Sequence, residues 1–127
     1  MYRVLKIERE GIKFLLSREE GEFEISEASN GRQALEILRN EEIDLLLTDI
    51  KMPHMDGLEL AKKAKEEKEE LQIVIFSGYN DFSFAQEAIR YGVKEYVLKP
   101  VDPDIFSETL EKVRSEIDKN KNRKIRD

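Results

Sequence analysis

Side chains capable of chemistry follow the short apolar runs of this sequence, at the points where predicted strands end. Thr48-Asp49 closes one run, Ser77-Gly78 follows a second, Lys99-Pro100 follows a third, and Glu8-Arg9-Glu10 follows the first run of the chain. In an open α/β sheet, functional groups gather at the carboxyl ends of the strands. A carboxylate, a hydroxyl and an ammonium are therefore expected to meet there. Because a carboxylate beside an apolar strand is costly to desolvate, Asp49 is a candidate functional group.

The elements that must position these groups are visible in the hydrophobic pattern. Apolar or alternating runs predict five strands, at residues 2–7, 23–28, 43–48, 71–76 and 95–98. Helical spacing predicts five helices, at residues 11–18, 33–39, 58–68, 81–90 and about 104–118. Strands that alternate with helices form a parallel sheet covered on both faces, so the chain is expected to be a doubly wound (βα)₅ α/β domain.

Length and composition exclude several classes of protein. The 127 residues suit one domain, expected at 1–118, with the basic segment 119–127 as a tail or the start of a linker. No cysteine is present, which excludes disulfide scaffolds, thiolate zinc sites and cysteine nucleophiles. The net charge of −6 argues against nucleic acid as the main partner of this domain. Without a long apolar stretch or a signal peptide, the chain is expected to be cytoplasmic and without membrane contact.

Four motifs together resemble those of bacterial response-regulator receiver domains. They are DIKMPHMDG at 49–57, Ser77-Gly78, YVLKP at 96–100 and ASNGRQA at 28–34. They occur in the order of that family and span nearly the whole chain. The segment 76–101 is especially similar to receivers that are attached to AraC-type DNA-binding domains. The resemblance implies the flavodoxin-like, CheY-like fold, with strand order 2-1-3-4-5.

The resemblance also implies the roles of individual residues. Asp49 would accept a phosphoryl group from a sensor histidine kinase, and Lys99 would neutralise the phosphoryl oxygens. The Ser77 hydroxyl would bind the phosphoryl group, and Tyr96 would move inward with it, which would remodel the face formed by helix four, strand five and helix five. The output would then be a conformational change passed to a downstream protein or an output domain, not the turnover of a substrate, so the domain is not expected to be an enzyme.

Three residues are expected to shape the loops around the acceptor. Pro53 and Gly57 belong to the loop after Asp49, and Lys99-Pro100 is typically a cis peptide bond in the family. Asp56 is expected to cap the third helix. His54 is interpreted as a loop residue, since a single histidine without a second histidine or cysteine nearby forms no metal site.

The first predicted strand departs from the family pattern. Family members usually end this strand with two adjacent acids that bind Mg²⁺, whereas this chain has Glu8-Arg9 and a shortened connection to the next helix. The ligands implied for Mg²⁺ are Asp49, Glu8 and the backbone carbonyl of Lys51, and the replaced acid argues against the metal. Lys6 also occupies a strand position that is normally apolar.

Two hypotheses follow from this departure. The Arg9 guanidinium could do part of the metal's work near Asp49. The shortened connection could also favour exchange of the first strand between two chains, in a homodimer.

Other functions compete with that of a phosphorylated receiver. One alternative is a degenerate receiver that acts by dimerisation or protein binding without phosphorylation. A phosphatase of the haloacid dehalogenase type would need a second aspartate two residues after the nucleophile, where this chain has Lys51. A flavodoxin-like carrier of FMN would need a phosphate-binding loop after the first strand, where Glu8-Arg9-Glu10 carries the wrong charge.

Overall fold

The computed structural model describes residues 1–7, 12–19, 23–78 and 82–126. Strands and helices alternate along the chain. The strands are β1 (Tyr2–Lys6), β2 (Phe23–Glu27), β3 (Leu45–Asp49), β4 (Gln72–Ser77) and β5 (Glu95–Leu98). The helices are α1 (Ile12–Ser17), α2 (Gly31–Asn40), α3 (Gly57–Glu67), α4 (Phe82–Arg90) and α5 (Pro103–Arg126). The predicted (βα)₅ succession is confirmed.

The five strands form one parallel sheet in the order β2-β1-β3-β4-β5. This is the predicted order 2-1-3-4-5. Strand β3 lies at the centre with β4 beside it, where Asp49 is opposite Phe76, while β5 forms one edge of the sheet. Because every strand runs in the same direction, the carboxyl ends of β3, β4 and β5 lie on the same side of the sheet. Asp49, Ser77 and Lys99 were expected to meet there.

Each face of the sheet is covered by helices, and each has its own hydrophobic cluster. The first cluster contains Leu46, Ile73 and Ile75 of the sheet together with apolar side chains of α2, α3 and α4. The second contains Leu47 and Phe76 with side chains of α1 and α5. The strands β3 and β4 are therefore buried on both sides, which explains their almost uninterrupted apolar sequences.

Two helix starts follow from short polar side chains. Asn30 caps α2 by accepting a hydrogen bond from the Gln33 backbone N–H at 2.8 Å. Asp56 caps α3 in the same way, through the Glu59 N–H at 2.8 Å. Each cap satisfies a backbone donor that the helix itself cannot pair. The predicted capping role of Asp56 is confirmed.

The last helix is longer than the sequence predicted. It continues to Arg126, so the expected helix end near Asp118 is wrong. The Tyr2 hydroxyl hydrogen-bonds to the Asp118 carboxylate at 3.0 Å, and the Lys121 ammonium lies 3.5 Å from the Asp44 carboxylate. These contacts hold the first turns beyond Ile117 against β1 and the start of β3. Whether residues 119–127 lead into a linker stays a prediction.

Strand β1 lies between β2 and β3 of its own chain, with Val4 opposite both Ile25 and Leu45. Helix α1 packs on the same strand through the buried Ile12 and Leu16. Strand β1 is therefore paired within the sheet of its own chain, and exchange of β1 between two chains stays a prediction. Within the described residues, no helix is long and apolar enough to cross a membrane.

Candidate functional site

Asp49 is the last residue of β3, and its side chain is 17% exposed. Its Oδ1 atom is buried and accepts no hydrogen bond of standard geometry from the described residues, but it forms an ion pair with the Lys99 ammonium. The carboxylate is thus partly open to solvent, and one of its oxygens contacts a cation instead of hydrogen-bond donors. Such a carboxylate remains available for reaction. This contact brings together two residues separated by fifty positions in the sequence.

Strand β4 sets the position of Lys99. The Lys99 backbone N–H donates to the Ser77 carbonyl at 2.7 Å, and Ser77 is paired with Leu98 across β4 and β5. On the other side of β4, the Ile50 N–H donates to the Phe76 carbonyl at 2.9 Å. One strand thus fixes both the residue after Asp49 and the backbone of Lys99. The Lys99-Pro100 bond is cis, as the resemblance implied.

Ser77 is the final residue of β4 and is 1% exposed. Its hydroxyl donates to the carbonyl of Gly78 at 3.3 Å, which is long for an O–H···O hydrogen bond. A stronger acceptor at the strand ends would therefore compete well for this hydroxyl. The structure places Ser77 on the strand between those of Asp49 and Lys99.

The loop after Asp49 contains the predicted shaping residues. The Met55 N–H donates to the Pro53 carbonyl at 2.8 Å, across His54, whose φ is 69°. A hydrogen bond between residues two apart, around a residue with positive φ, describes a tight γ-turn. The loop closes where the Gly57 N–H donates to the Ile50 carbonyl at 2.7 Å. His54 is exposed in this turn and lies in no metal cluster within the described chain.

Sequence reasoning named Thr48 at a strand end but assigned it no role, and the structure shows it fully buried next to the acceptor. Its hydroxyl donates to the Asp49 carbonyl at 2.9 Å and lies 3.6 Å from the sulfur of Met52. The side chain thus links the end of β3 to the following loop. The only sequence signal was a hydroxyl at the end of an otherwise apolar run.

Tyr96 lies on β5, is half-buried and packs against the cluster of α2, α3 and α4. Three apolar side chains on α4, β5 and α5 are at least half exposed: Ile89 at 69%, Leu98 at 52% and Ile105 at 51%. Apolar area is therefore available on these three elements for contact with another protein.

The described residues do not by themselves form a magnesium site. Mg²⁺ requires an octahedral set of oxygen ligands, and no group of three acidic, histidine or cysteine side chains suited to a metal occurs in the described part of the chain. Asp49 supplies one carboxylate. The other predicted side-chain ligand, Glu8, and the predicted substitute cation, Arg9, lie outside the described residues.

The chain matches the sequence model of the response regulator receiver domain over residues 6–111. It is 35% identical over 105 residues to sporulation initiation phosphotransferase F of Bacillus subtilis, and the match covers 80% of this chain and 84% of that protein. The transcriptional regulatory protein YesN of Bacillus subtilis is 40% identical over 93 residues, which are 73% of this chain. The aligned part is only a quarter of the length of YesN.

Solved structures show the same architecture. The receiver domain of AraT from Geobacillus stearothermophilus is 37% identical, with a TM-score of 0.74 over 97% of this chain and 98% of that one. A response regulator receiver domain from Clostridium thermocellum is 27% identical, with a TM-score of 0.81 over 95% and 98% of the two chains. The similarity extends over nearly the full length of both structures.

Proposed function

Because the chain belongs to the response regulator receiver domains of two-component signalling systems, we propose that Asp49 is its phosphoryl acceptor. The observation that carries this proposal is the ion pair between Asp49 and Lys99 at the carboxyl edge of the sheet. The Asp49 Oδ1 atom accepts no hydrogen bond from the described residues, whereas the capping carboxylate of Asp56 does.

In the proposed reaction, an Asp49 carboxylate oxygen attacks the phosphorus of a phosphohistidine. The new P–O bond forms an acyl phosphate, and the P–N bond breaks as its electron pair returns to the imidazole, which takes up a proton. The single negative charge of the aspartate is replaced by about two negative charges on the phosphoryl group. Lys99 stabilises this added charge, because its ammonium already lies against the carboxylate and needs little rearrangement.

The added charge also offers a stronger acceptor to the Ser77 hydroxyl than the Gly78 carbonyl does. Any movement of Ser77 is passed to Lys99 and β5 through the 2.7 Å hydrogen bond between their backbones. Tyr96 lies on β5 and would respond by repacking against the cluster of α2, α3 and α4. The exposed Ile89, Leu98 and Ile105 then offer the remodelled α4-β5-α5 surface to a downstream protein or an output domain.

Receiver domains accept phosphoryl groups from histidine kinases and typically use Mg²⁺ to do so. For this chain, a kinase as donor and a ligand set of Asp49, Glu8 and the Lys51 carbonyl are proposals from the sequence. Among the described side chains, only Asp49 is a predicted metal ligand, since Lys51 would contribute its backbone carbonyl and Glu8 lies outside the described residues. The reaction steps above therefore use the protein side chains alone.

The proposal is tested by intact-mass measurement after incubation with acetyl phosphate, with and without Mg²⁺. The wild-type chain is expected to gain one phosphoryl group, and Asp49→Asn to gain none. The matched control is Asp56→Asn, which replaces a carboxylate in the same loop and retains a capping side chain.

Absence of an adduct from the wild-type chain under both conditions would overturn the proposal and favour the degenerate receiver. An adduct that persists in Asp49→Asn would assign phosphorylation to another residue. The degenerate receiver is otherwise not favoured, because Asp49, Ser77 and Lys99 are held at adjacent strand ends by backbone hydrogen bonds.

A further inference from the structure

Lys6 is a buried cation that the phosphoryl transfer described above does not use. It ends β1 and is 9% exposed. Its only polar partner among the described residues is the carboxylate of Glu27, 3.6 Å from the ammonium, and the Glu27 side chain is 58% exposed. A buried ammonium with one loose, solvent-exposed partner is poorly compensated for its desolvation. The fold therefore tolerates a cost here that an apolar residue would avoid.

Strand register places Lys6 on the same face of the sheet as Asp49. Lys6 is opposite Leu47 on the adjacent strand β3, and Leu47 belongs to the cluster covered by α1 and α5. Val4, two residues before Lys6, belongs to the same cluster. Since side chains alternate along a strand, Lys6 and Asp49 both lie on this face.

The two residues are also close along the sheet. Asp49 lies two positions beyond Leu47, so standard strand spacing and rise give about 8 Å between the Cα atoms of Lys6 and Asp49. Lys6 thus stands on one neighbouring strand of β3, while Lys99 reaches Asp49 from the other side. The acceptor strand β3 thus has a lysine-bearing strand end on each side, with the Lys6 ammonium itself against Glu27 on β2.

We propose that Lys6 is an auxiliary cation for the phosphoryl group on Asp49, and that Glu27 is the counterion that limits its effect in the unphosphorylated protein. This inference rests on the proposed function of Asp49. Before transfer, Lys6 is partly neutralised by Glu27, its direct cross-strand neighbour. After transfer, the same ammonium is attracted by the additional charge at Asp49. Lys6 acts through its electric field and does not need to contact the phosphoryl oxygens.

The expected size of the effect follows from distance and screening. Two unit charges separated by about the distance between these Cα atoms, near a protein surface, change a rate or an equilibrium by roughly three- to tenfold once solvent screening is included. In the wild-type protein, the negative charge of Glu27 is expected to cancel a smaller part of this effect of Lys6. Removal of Lys6 and removal of Glu27 must therefore act in opposite directions on the phosphorylated state.

The test compares Lys6→Met, Glu27→Gln and the double variant in the full chain, with acetyl phosphate as the phosphoryl donor. The rate of adduct formation and the half-life of the adduct are measured by intact mass. Lys6→Met is expected to slow formation by about three- to tenfold, and Glu27→Gln to accelerate it by about twofold or more. Because charges add through the field, Glu27→Gln should still accelerate formation in the Lys6→Met background, so the double variant should lie between the two single variants. Lys6→Arg keeps the charge and should restore most of the rate.

A purely structural ion pair gives a different pattern. In that case, Lys6→Met and Glu27→Gln would change the rate in the same direction, in proportion to a change in melting temperature that is measured in parallel. Equal rates in all four variants would also overturn the inference. The Asp49→Asn variant separates the two proposals: loss of the adduct there, together with no effect at Lys6, would retain Asp49 as acceptor and reject Lys6 as its auxiliary cation.

Discussion

Gly57 packs directly against the backbone of Asp49. A Cβ atom at position 57 would overlap the Asp49 carbonyl oxygen and would lie 3.0 Å from the Cα of Ile50. The first residue of α3 can approach β3 this closely only without a side chain, and the approach allows the Gly57 N–H to donate to the Ile50 carbonyl. The backbone that carries the proposed acceptor is therefore shaped by a glycine eight residues further along the chain.

Gly57→Ala is expected to destabilise the fold by about 2 kcal/mol or more, because backbone atoms cannot yield as a flexible side chain can. The matched control is Gly78→Ala, since nothing lies within 4 Å of a Cβ built there. Urea unfolding of the two variants provides the measurement. Similar unfolding free energies for both would contradict the close packing of Gly57 on Asp49.

Lys99→Met is expected to slow the formation of the acetyl phosphate adduct by about ten- to a hundredfold, since it removes the cation next to the developing charge. Lys94→Met is the control, because Lys94 is an exposed lysine just before β5, the strand that Lys99 follows. Time courses of intact mass give the rates. A rate unchanged by Lys99→Met would separate the ion pair from phosphoryl transfer.

Tyr2→Phe is expected to loosen the C-terminal half of α5. The variant loses the hydrogen bond from the Tyr2 hydroxyl to Asp118, which holds the second half of α5 to β1. Hydrogen exchange at residues 118–123 should become faster, while exchange in β4 should not change. The control is Tyr91→Phe, since no hydrogen bond of the Tyr91 hydroxyl is found within the described chain. Unaltered exchange at 118–123 would show that other contacts suffice.

The same hydrogen bond should make stability depend on alkaline pH. Burial, and then the hydrogen bond to Asp118, raise the pKa of Tyr2 above its ordinary value of 10.0. Because the folded state favours the protonated hydroxyl, this contribution is complete below pH 10 and is lost as the pH rises through the raised pKa. The difference in unfolding free energy between wild type and Tyr2→Phe should therefore shrink above pH 10. A constant difference would argue against the contact.

Self-association tests the homodimer predicted from the first strand. Light scattering across micromolar concentrations is expected to give the mass of two chains. If β1 is exchanged, dissociation on dilution should be slow, because the strand pairs with both β2 and β3 and must leave the sheet. A dimer that dissociates at once on dilution would indicate a surface interface. A monomeric mass throughout would contradict both forms of dimer.

Local sequence determined most of the elements in this protein. Apolar runs and helical spacing located five strands and five helices, and the cap at Asp56 was predictable because capping depends on residues only three positions apart. Motif resemblance added the strand order and the identities of Asp49, Ser77 and Lys99. Their roles as acceptor, hydroxyl donor and cation stay predictions.

The structure differs from the sequence-based prediction at the end of α5, where long-range contacts matter. Beyond Ile117, α5 has a polar sequence with no continuing apolar stripe, so helical periodicity gave no reason to extend the helix to Arg126. Contacts of Asp118 and Lys121 with Tyr2 and Asp44, from distant parts of the chain, hold part of that extension.

The pairing of charged groups was also decided by the tertiary structure. The pair between Asp49 and Lys99 depends on the position of β4 between their strands, and the pair between Lys6 and Glu27 depends on the register of β1 with β2. Sequence patterns report which face of its own element a residue occupies. Strand order and register decide which charges from different elements meet, because they arise from the packing of the whole sheet between its helices.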